Sequence, residues 1–410
     1  MSPTTTTLPA AVQARRDEAA KRFRATGFPK PGDEAWRHSD VRALSAVTGP
    51  CVPGDASAAD LDALRLPDTT RVVVVDGVLR ADLSDDLGGI DVSGFAAALG
   101  DADVQEALGA LAEPDAFADW NLVHHAGGVV VRVPDHAVVA PLHVLFVRTD
   151  APGVAASRLL VLAGDQGEVR VTEHHVHVGD GTDLSGLATN HVTEVEAAQA
   201  AVVHLDCIQE TGLLAHVATT DLRARRDAQL RHVHVAAGGS HARNTLVARL
   251  LGEGADVQMD GLYVIRRTQR SDHWTRVDHA VPHCSSRQRY KGILDDESRG
   301  AFTGNVLVRP GAQKTSSEQE NRNLLLSRKA LCDSTPQLEI HNDDVRCSHG
   351  STVGQLDRDQ QFFLRSRGIG AADATRMLTE AFAAEVVESL APPARARVER
   401  LIEDWFRSKP

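Results

Sequence analysis

The sequence predicts a mainly β protein, with a parallel β-helix core between helical N-terminal and C-terminal regions. Three observations lead there. Short β-rich runs recur about 10–15 residues apart from about His125 to Leu356, separated by turn residues and uninterrupted by any long helix. Several links between runs are too long for two-residue hairpins and too short to hold a crossover helix. A coiled parallel sheet satisfies both limits, because each short arc carries the chain to the next rung. Outside this region the apolar pattern is helical. A β-sandwich is the competing architecture, since the repeat is irregular in sequence.

The N-terminal region, residues 1–121, is mostly helical with one small hairpin. Ala10 to Arg24 is rich in helix formers and holds no Gly or Pro, and Gly27 and Pro29 stop it. Arg71 to Leu79 (RVVVVDGVL) reads as a strand, an Asp76-Gly77 turn and a return. Helical patterns resume over Val92–Leu99 and Val104–Leu111, and Trp120-Asn121-Leu122 closes the region. The β-helix core spans 122–360. Its runs include VVVRV (129–133), LHVLFV (142–147), RLLVLA (158–163), EVRVTEHHVHV (168–178), AAVVHLDCI (200–208), LLAHVATT (213–220), QLRHVHVAA (229–237), NTLVARLL (244–251) and ADVQMDGLYVI (255–265). The C-terminal region, 361–410, carries two amphipathic stripes. Leu378, Phe382, Val386 and Leu390 recur every fourth position, Pro392-Pro393 interrupts, and Val398, Leu401, Ile402, Trp405 and Phe406 form the second stripe. Either stripe serves to pack on the β core or to dock another subunit, and periodicity alone does not separate the two.

Composition narrows the function. A 42% hydrophobic and 24% charged chain of 410 residues is globular and large enough for two or three domains. A net charge of −12 does not suit nucleic acid or an anionic lipid surface. No apolar run approaches the roughly 18 residues of a membrane span, and Met1-Ser-Pro-Thr-Thr-Thr-Thr lacks the regions of a secretion signal. Five scattered cysteines (51, 207, 284, 332, 347) do not make a disulfide framework, so the expectation is a reduced, cytoplasmic protein. Fourteen of the 19 histidines lie between His174 and His349. A metal or proton role is one reading of that density. Polar filler on strand faces is the plainer reading for any single histidine.

Motifs exclude several chemistries. The chain has no G-x-x-x-x-G-K-[ST], no G-x-G-x-x-G opening a helix after a strand and no G-x-S-x-G, which argues against an autonomous nucleotide enzyme or hydrolase. It also lacks C-x-x-C and H-E-x-x-H, so no closed zinc site is legible from spacing. Two late clusters remain. His279 and His283 stand near Cys284, and Cys347 and His349 stand at i and i+2. On an extended strand the latter pair share a face, where a thiolate and an imidazole suit iron, zinc or copper. A buried Cys and a hydrogen-bonded His are the plainer alternative.

A longer series of motifs resembles a known family. Gly300-Ala-Phe-Thr-Gly-Asn305, Asn321-Arg-Asn-Leu-Leu-Leu-Ser327, Pro336-Gln-Leu-Glu-Ile340, Asp343-Asp-Val-Arg-Cys-Ser-His-Gly350 and Phe363-Leu-Arg-Ser-Arg-Gly-Ile369 stand in the order found in the SufB/SufD family of Suf iron–sulfur cluster assembly proteins, on its SufD side. Gly27-Phe-Pro29 and Glu34-Ala-Trp-Arg-His-Ser39 match its N-terminal segment. The resemblance spans nearly the whole chain and is most specific from about residue 279 to 390. It implies a right-handed parallel β-helix and a non-catalytic scaffold subunit that aids iron acquisition. It also implies a heterodimer with a SufB-like paralogue and one SufC-like ATPase per subunit, and leaves the isolated chain free to homodimerise. No tightly bound cofactor is expected, only transient iron or an iron–sulfur cluster shared with the partner. The family's functional histidine falls on His349, with Cys347 beside it. Its ATPase-docking segment falls on Arg365–Leu390, which points to Leu378, Phe382 and Val386 as partner-binding residues. Cys332 stands where the family motif has no cysteine, and His283 and Cys284 lie in a stretch matching only in part.

Two other classes compete on pattern alone. A β-helix carbohydrate enzyme needs aromatic sugar platforms, and four Trp with two Tyr is a poor supply. A stand-alone His/Cys metalloprotein needs three or four convergent ligands, which no recognisable spacing displays.

Overall fold

The computed structural model describes residues 8–112, 115–181 and 183–408; the extreme N-terminus, read above for a secretion signal, lies outside them. Helices α1 (Ala10–Thr26), α2 (Val41–Leu44) and α3 (Ala58–Asp62) lead into strands β1 (Thr70–Val75), β2 (Val78–Leu79) and β3 (Val92–Gly94). Helices α4 (Phe95–Ala98), α5 (Ala102–Ala107) and α6 (Ala116–His124) follow. Then come β4 (Val129–Val133), β5 (Leu142–Arg148), β6 (Gly153–Ala163), β7 (Glu168–His177), β8 (Leu187–Ala197), β9 (Val202–Glu210), β10 (Ala215–Ala224) and β11 (Gln229–Ala236). The series continues with β12 (His241–Leu250), β13 (Asp256–Ile265), β14 (Arg270–His279), β15 (Ser285–Leu294), β16 (Arg299–Val308), β17 (Ser316–Leu325), β18 (Leu331–Ile340) and β19 (Arg346–Gly354). Helices α7 (Arg358–Ser366), α8 (Ala371–Val387) and α9 (Pro392–Arg407) close the chain.

Alternate strands join alternate sheets. One sheet runs β19-β17-β15-β13-β11-β9-β7-β5-β1-β2, and the other β18-β16-β14-β12-β10-β8-β6-β4-β3. From β4 onward each named-strand pairing among the described residues is parallel, apart from the β3–β4 contact. The fold is therefore the expected parallel β-helix, and the sandwich alternative falls. Strands of the first sheet start at 202, 229, 256, 285, 316 and 346, so one coil takes 27–31 residues.

One corner of each coil is set by a residue in the left-handed region: Gln166, Ala200, Asp227, His283 and Lys314 have φ of 55–60°. Non-glycine residues tolerate this conformation only where the surroundings hold them there. Here each N–H donates to a carbonyl of the next coil, for example Gln166 to Gln199 at 2.8 Å and His283 to Gln313 at 2.8 Å. The corners thus stack into a ladder.

The hairpin expected over Arg71–Leu79 forms around Asp76 and Gly77, both at positive φ. It is more than an appendage to the helical region, because β1 pairs in parallel with β5 as a rung of the solenoid. The helix expected over Val92–Leu99 starts only at Phe95. Val92 favours extended backbone, and Ser93-Gly94 resist helix, so this stretch pairs with β4. At the C-terminus both amphipathic helices form, and Pro392-Pro393 occupies the first turn of α9, where a missing N–H costs nothing.

The lumen is divided along its length. One half of each rung contributes Val, Leu, Ala and Met to a continuous apolar core that includes Val171, Leu205, Leu230, Val257 and Leu250. The other half is polar, with buried His175, His191, His234, Gln288 and Asn321. Outward apolar positions are covered by helices. Ile208, Val233, Leu262 and Ile293 lie under α8 and α9, and Val130 and Leu160 lie under α1, α4 and α5. No helix among the described residues is long and apolar enough to cross a membrane.

Candidate functional site

The solenoid ends in two unpaired edges, β18 and β19. Cys347 and His349 lie on β19, in register with Ser317 and Gln319 of β17. Those two neighbours are buried and face the lumen, so Cys347 and His349 also point along the lumen wall. No further rung among the described residues covers them, and His349 is exposed. His349 is the fourth of nine residues in its strand. Cys347 packs against Val306, Val308 and Ala312, and burial pushes its thiol above the ordinary range, partly offset by a backbone hydrogen bond from Ser317. It behaves as a small apolar group at rest.

Backbone alternation sets what the edge offers. Arg346 donates its N–H to Thr315 of the preceding coil. Successive residues face opposite neighbours in a parallel ladder, so Cys347, His349, Ser351 and Val353 turn both N–H and C=O toward the open side. On β18, Leu331 donates to Ser298, which leaves the odd residues bonded inward and Cys332, Ser334, Pro336, Leu338 and Ile340 at the open side. Pro336 sits where its missing N–H costs the sheet nothing. The two edges are tied together by a 2.7 Å hydrogen bond from the Ser351 hydroxyl to that of Ser334, and Val353, 47% exposed, leaves apolar surface there.

The C-terminal stripe sits mostly on the solenoid. Val386 is fully buried against the first sheet. Phe382 is partly covered, with the Lys291 ammonium 4.7 Å from its ring centroid and donating to its carbonyl at 2.8 Å. Leu378 is half-buried. The unpartnered apolar surface of this region is instead on α7, where Phe362 is 74% and Phe363 56% exposed, and on Met377. The sequence did show this signal: Gln-Phe-Phe-Leu in a short helix with charged neighbours.

The remaining candidates are structural. His283 is an exposed corner residue of the left-handed ladder. Cys284 is buried in the lumen core, with its thiol toward the Gly252 carbonyl at 3.3 Å. Cys332 approaches the Tyr263 hydroxyl at 3.6 Å, and burial raises its thiol to about 12. The N-terminal segment docks on the outside of the second sheet: Arg243 stacks on Trp36 at 4.5 Å and donates to the Ala35 carbonyl, while His38 lies 3.5 Å from Asp333 on β18.

The fold and its end thus define a class: a parallel β-solenoid with helical flanks, a half-polar lumen and an open end bearing a cysteine–histidine pair. The comparisons fix the family. Residues 146–382 match the family described as SUF system FeS cluster assembly, SufBD core domain. The chain is 33% identical over 377 residues to the iron–sulfur cluster assembly protein SufD of Escherichia coli, covering 89% of this chain and 86% of that protein. It is 29% identical over 393 residues to a SufBD family protein of Synechocystis sp. (92% and 87% covered) and 30% identical over 385 residues to one of Mycobacterium tuberculosis (92% and 88%). The chain belongs to the SufBD family and is a SufD-type iron–sulfur assembly protein.

Proposed function

We propose that this chain is a non-catalytic, cytoplasmic subunit of a Suf scaffold complex. It pairs end-on with a SufB-like paralogue and binds a SufC-like ATPase through its C-terminal helices. Iron or a nascent cluster is cargo held transiently between His349 and the partner. The observation that carries this reading is the open end of the solenoid, where a row of unpaired backbone groups surrounds an exposed imidazole. Exposed edges of this kind are rarely left bare, since they template pairing with another chain. A neutral imidazole binds iron through one nitrogen and releases it readily enough to pass it on. The exposed Phe362 and Phe363 favour α7, together with the outer face of α8, as the ATPase contact.

Co-expression with the paralogue and ATPase of the same organism tests the reading. A stable complex containing all three chains is expected, with iron retained only when His349 is present. Recovery of this chain alone under those conditions would contradict it.

A further inference from the structure

Inside the polar half of the lumen, far along the strand order from the open end, the buried donors Glu173, His175 and Cys207 converge. Glu173 and His175 alternate on β7, so both point inward, and Cys207 is the register partner of Glu173 on β9. One donor atom from each lies within 4.8 Å of the others. The Glu173 carboxylate is 3.5 Å from Nε2 of His175 and 3.6 Å from Nε2 of His191 on the facing sheet. Four donors at about 2.0–2.3 Å from one ion stand about 3.3–3.7 Å apart in a tetrahedron, so the two Glu173–histidine spacings already match, and the group with Cys207 has to draw together by up to about 1 Å.

The supporting shell is also built. The Thr193 hydroxyl donates to Glu173 at 2.7 Å, Ser157 holds Nδ1 of His191 at 2.7 Å, and Nε2 of His191 meets the Thr193 hydroxyl at 2.9 Å, so it must leave Thr193 to serve as a donor. Metal-bound histidines are usually oriented through their second nitrogen in this way. Two other buried carboxylates have guanidinium partners, Glu194 with Arg158 and Asp76 with Arg148. The partners of Glu173 are two imidazoles and a hydroxyl. A second observation comes from the next coil. His234, in register beside Cys207 and buried, has no hydrogen-bond partner on either ring nitrogen among the described residues, and Nε2 of buried His216, whose ring lies 5.4 Å from that of His175, has none either. Buried donors without partners call for an occupant.

We propose that Glu173, His175 and Cys207, with His191 as fourth donor, bind one divalent transition-metal ion of the iron(II) and zinc(II) class within the solenoid. On binding, Cys207 gives its proton to solvent, and thiolate and carboxylate together neutralise the dication. The donor set is the borderline-soft mixture these ions prefer over calcium or magnesium. The site is separate from His349 and does not depend on its role.

Cobalt(II) is the probe, supplied to the purified full chain and, in parallel, during its synthesis in growing cells. Thiolate-to-cobalt charge-transfer absorption at one ion per chain is expected, displaced by zinc(II) and by anaerobic iron(II). Cys207→Ser should abolish that absorption, and Glu173→Gln should weaken binding about 100-fold or more, since outer-shell changes alone cost about 10–100-fold. The variant Cys332→Ser/Cys347→Ser, altered only at the open end, should keep the band, which decides the matter even if a buried variant fails to fold. Absence of the band from both wild-type preparations, or its loss in the open-end variant, would overturn the proposal.

Discussion

A proline at Ser351 isolates the edge from everything else the end of the solenoid does. Ser351 turns its N–H and C=O to the open side, the position that Pro336 holds on β18, so the substitution removes no bond within the sheet. It does remove the hydroxyl contact with Ser334, which is exposed and contributes little. A partner strand along β19 would meet four N–H and four C=O groups, from Cys347, His349, Ser351 and Val353. At about 0.5–1.5 kcal/mol net for each bond, a full ladder is worth about 4–12 kcal/mol. Proline deletes one donor, and its ring keeps the partner's backbone from closing on the bond beside it. A loss of about 1–3 kcal/mol follows, which is about 5- to 150-fold in dissociation constant. Isothermal titration of the variant against the paralogue, with thermal unfolding of the lone chain as control, measures it. Unchanged affinity in a normally folded variant would refute edge pairing along β19.

Other perturbations separate surface from core. Phe362→Asp should abolish ATPase capture while leaving the melting curve of the lone chain unchanged, whereas Val386→Asp should destabilise the chain itself, because it places an unpaired charge in the contact between α8 and the first sheet. Glu194→Ala should cost about 3–5 kcal/mol in urea unfolding, since it strands buried Arg158 and frees the N–H groups of Gly109, Leu111 and Ala112 that Glu194 accepts from. His279 is buried against Ser286, and burial lowers its pKa to about 4, below the ordinary 6.5. The unfolded chain therefore holds one more proton between those values, and this residue's share of stability falls by about 1.4 kcal/mol per pH unit as pH drops from 6.5 to 4. His279→Gln should remove that share of the slope, and parallel pH profiles for the two chains would contradict it.

The architecture was legible because nine runs carry enough Val, Leu and Ala to read as strands, and because their links suit a coiled sheet better than hairpins or crossover helices, although a sandwich competes until the parallel register is seen. Strands such as β8, β15 and β17 were not legible by the same rule. Their inward positions in the polar half are Thr, His, Ser, Gln and Asn, as at Ser317, Gln319, Asn321 and Asn323, so alternation of apolar and polar residues vanishes. Of these three strands only β17 overlaps one of the family motifs, Asn321–Ser327. β1 reads as part of the helical region because a parallel partner 72 residues away leaves no local trace: Arg71 pairs with His143 only through the fold. The i, i+2 spacing of Cys347 and His349 shows that they share a strand face, but not that this strand is the open edge of the solenoid. The stripe at Leu378, Phe382 and Val386 showed that α8 is amphipathic, but periodicity does not say what lies opposite, and Val386 lies on the solenoid. The convergence of Glu173, His175 and Cys207 needed the register of β7 on β9, which the sequence does not print.

Iron and acid-labile sulfide in the complex with the paralogue and ATPase, measured for wild type and His349→Ala, bear most directly on the central claim. His349 is exposed, so its loss opens no cavity and should leave subunit stoichiometry and melting unchanged. An intact complex with reduced iron and cluster content is expected, with a smaller reduction for Cys347→Ala, whose thiol packs inward. An intact His349→Ala complex with wild-type iron and sulfide would contradict the claim.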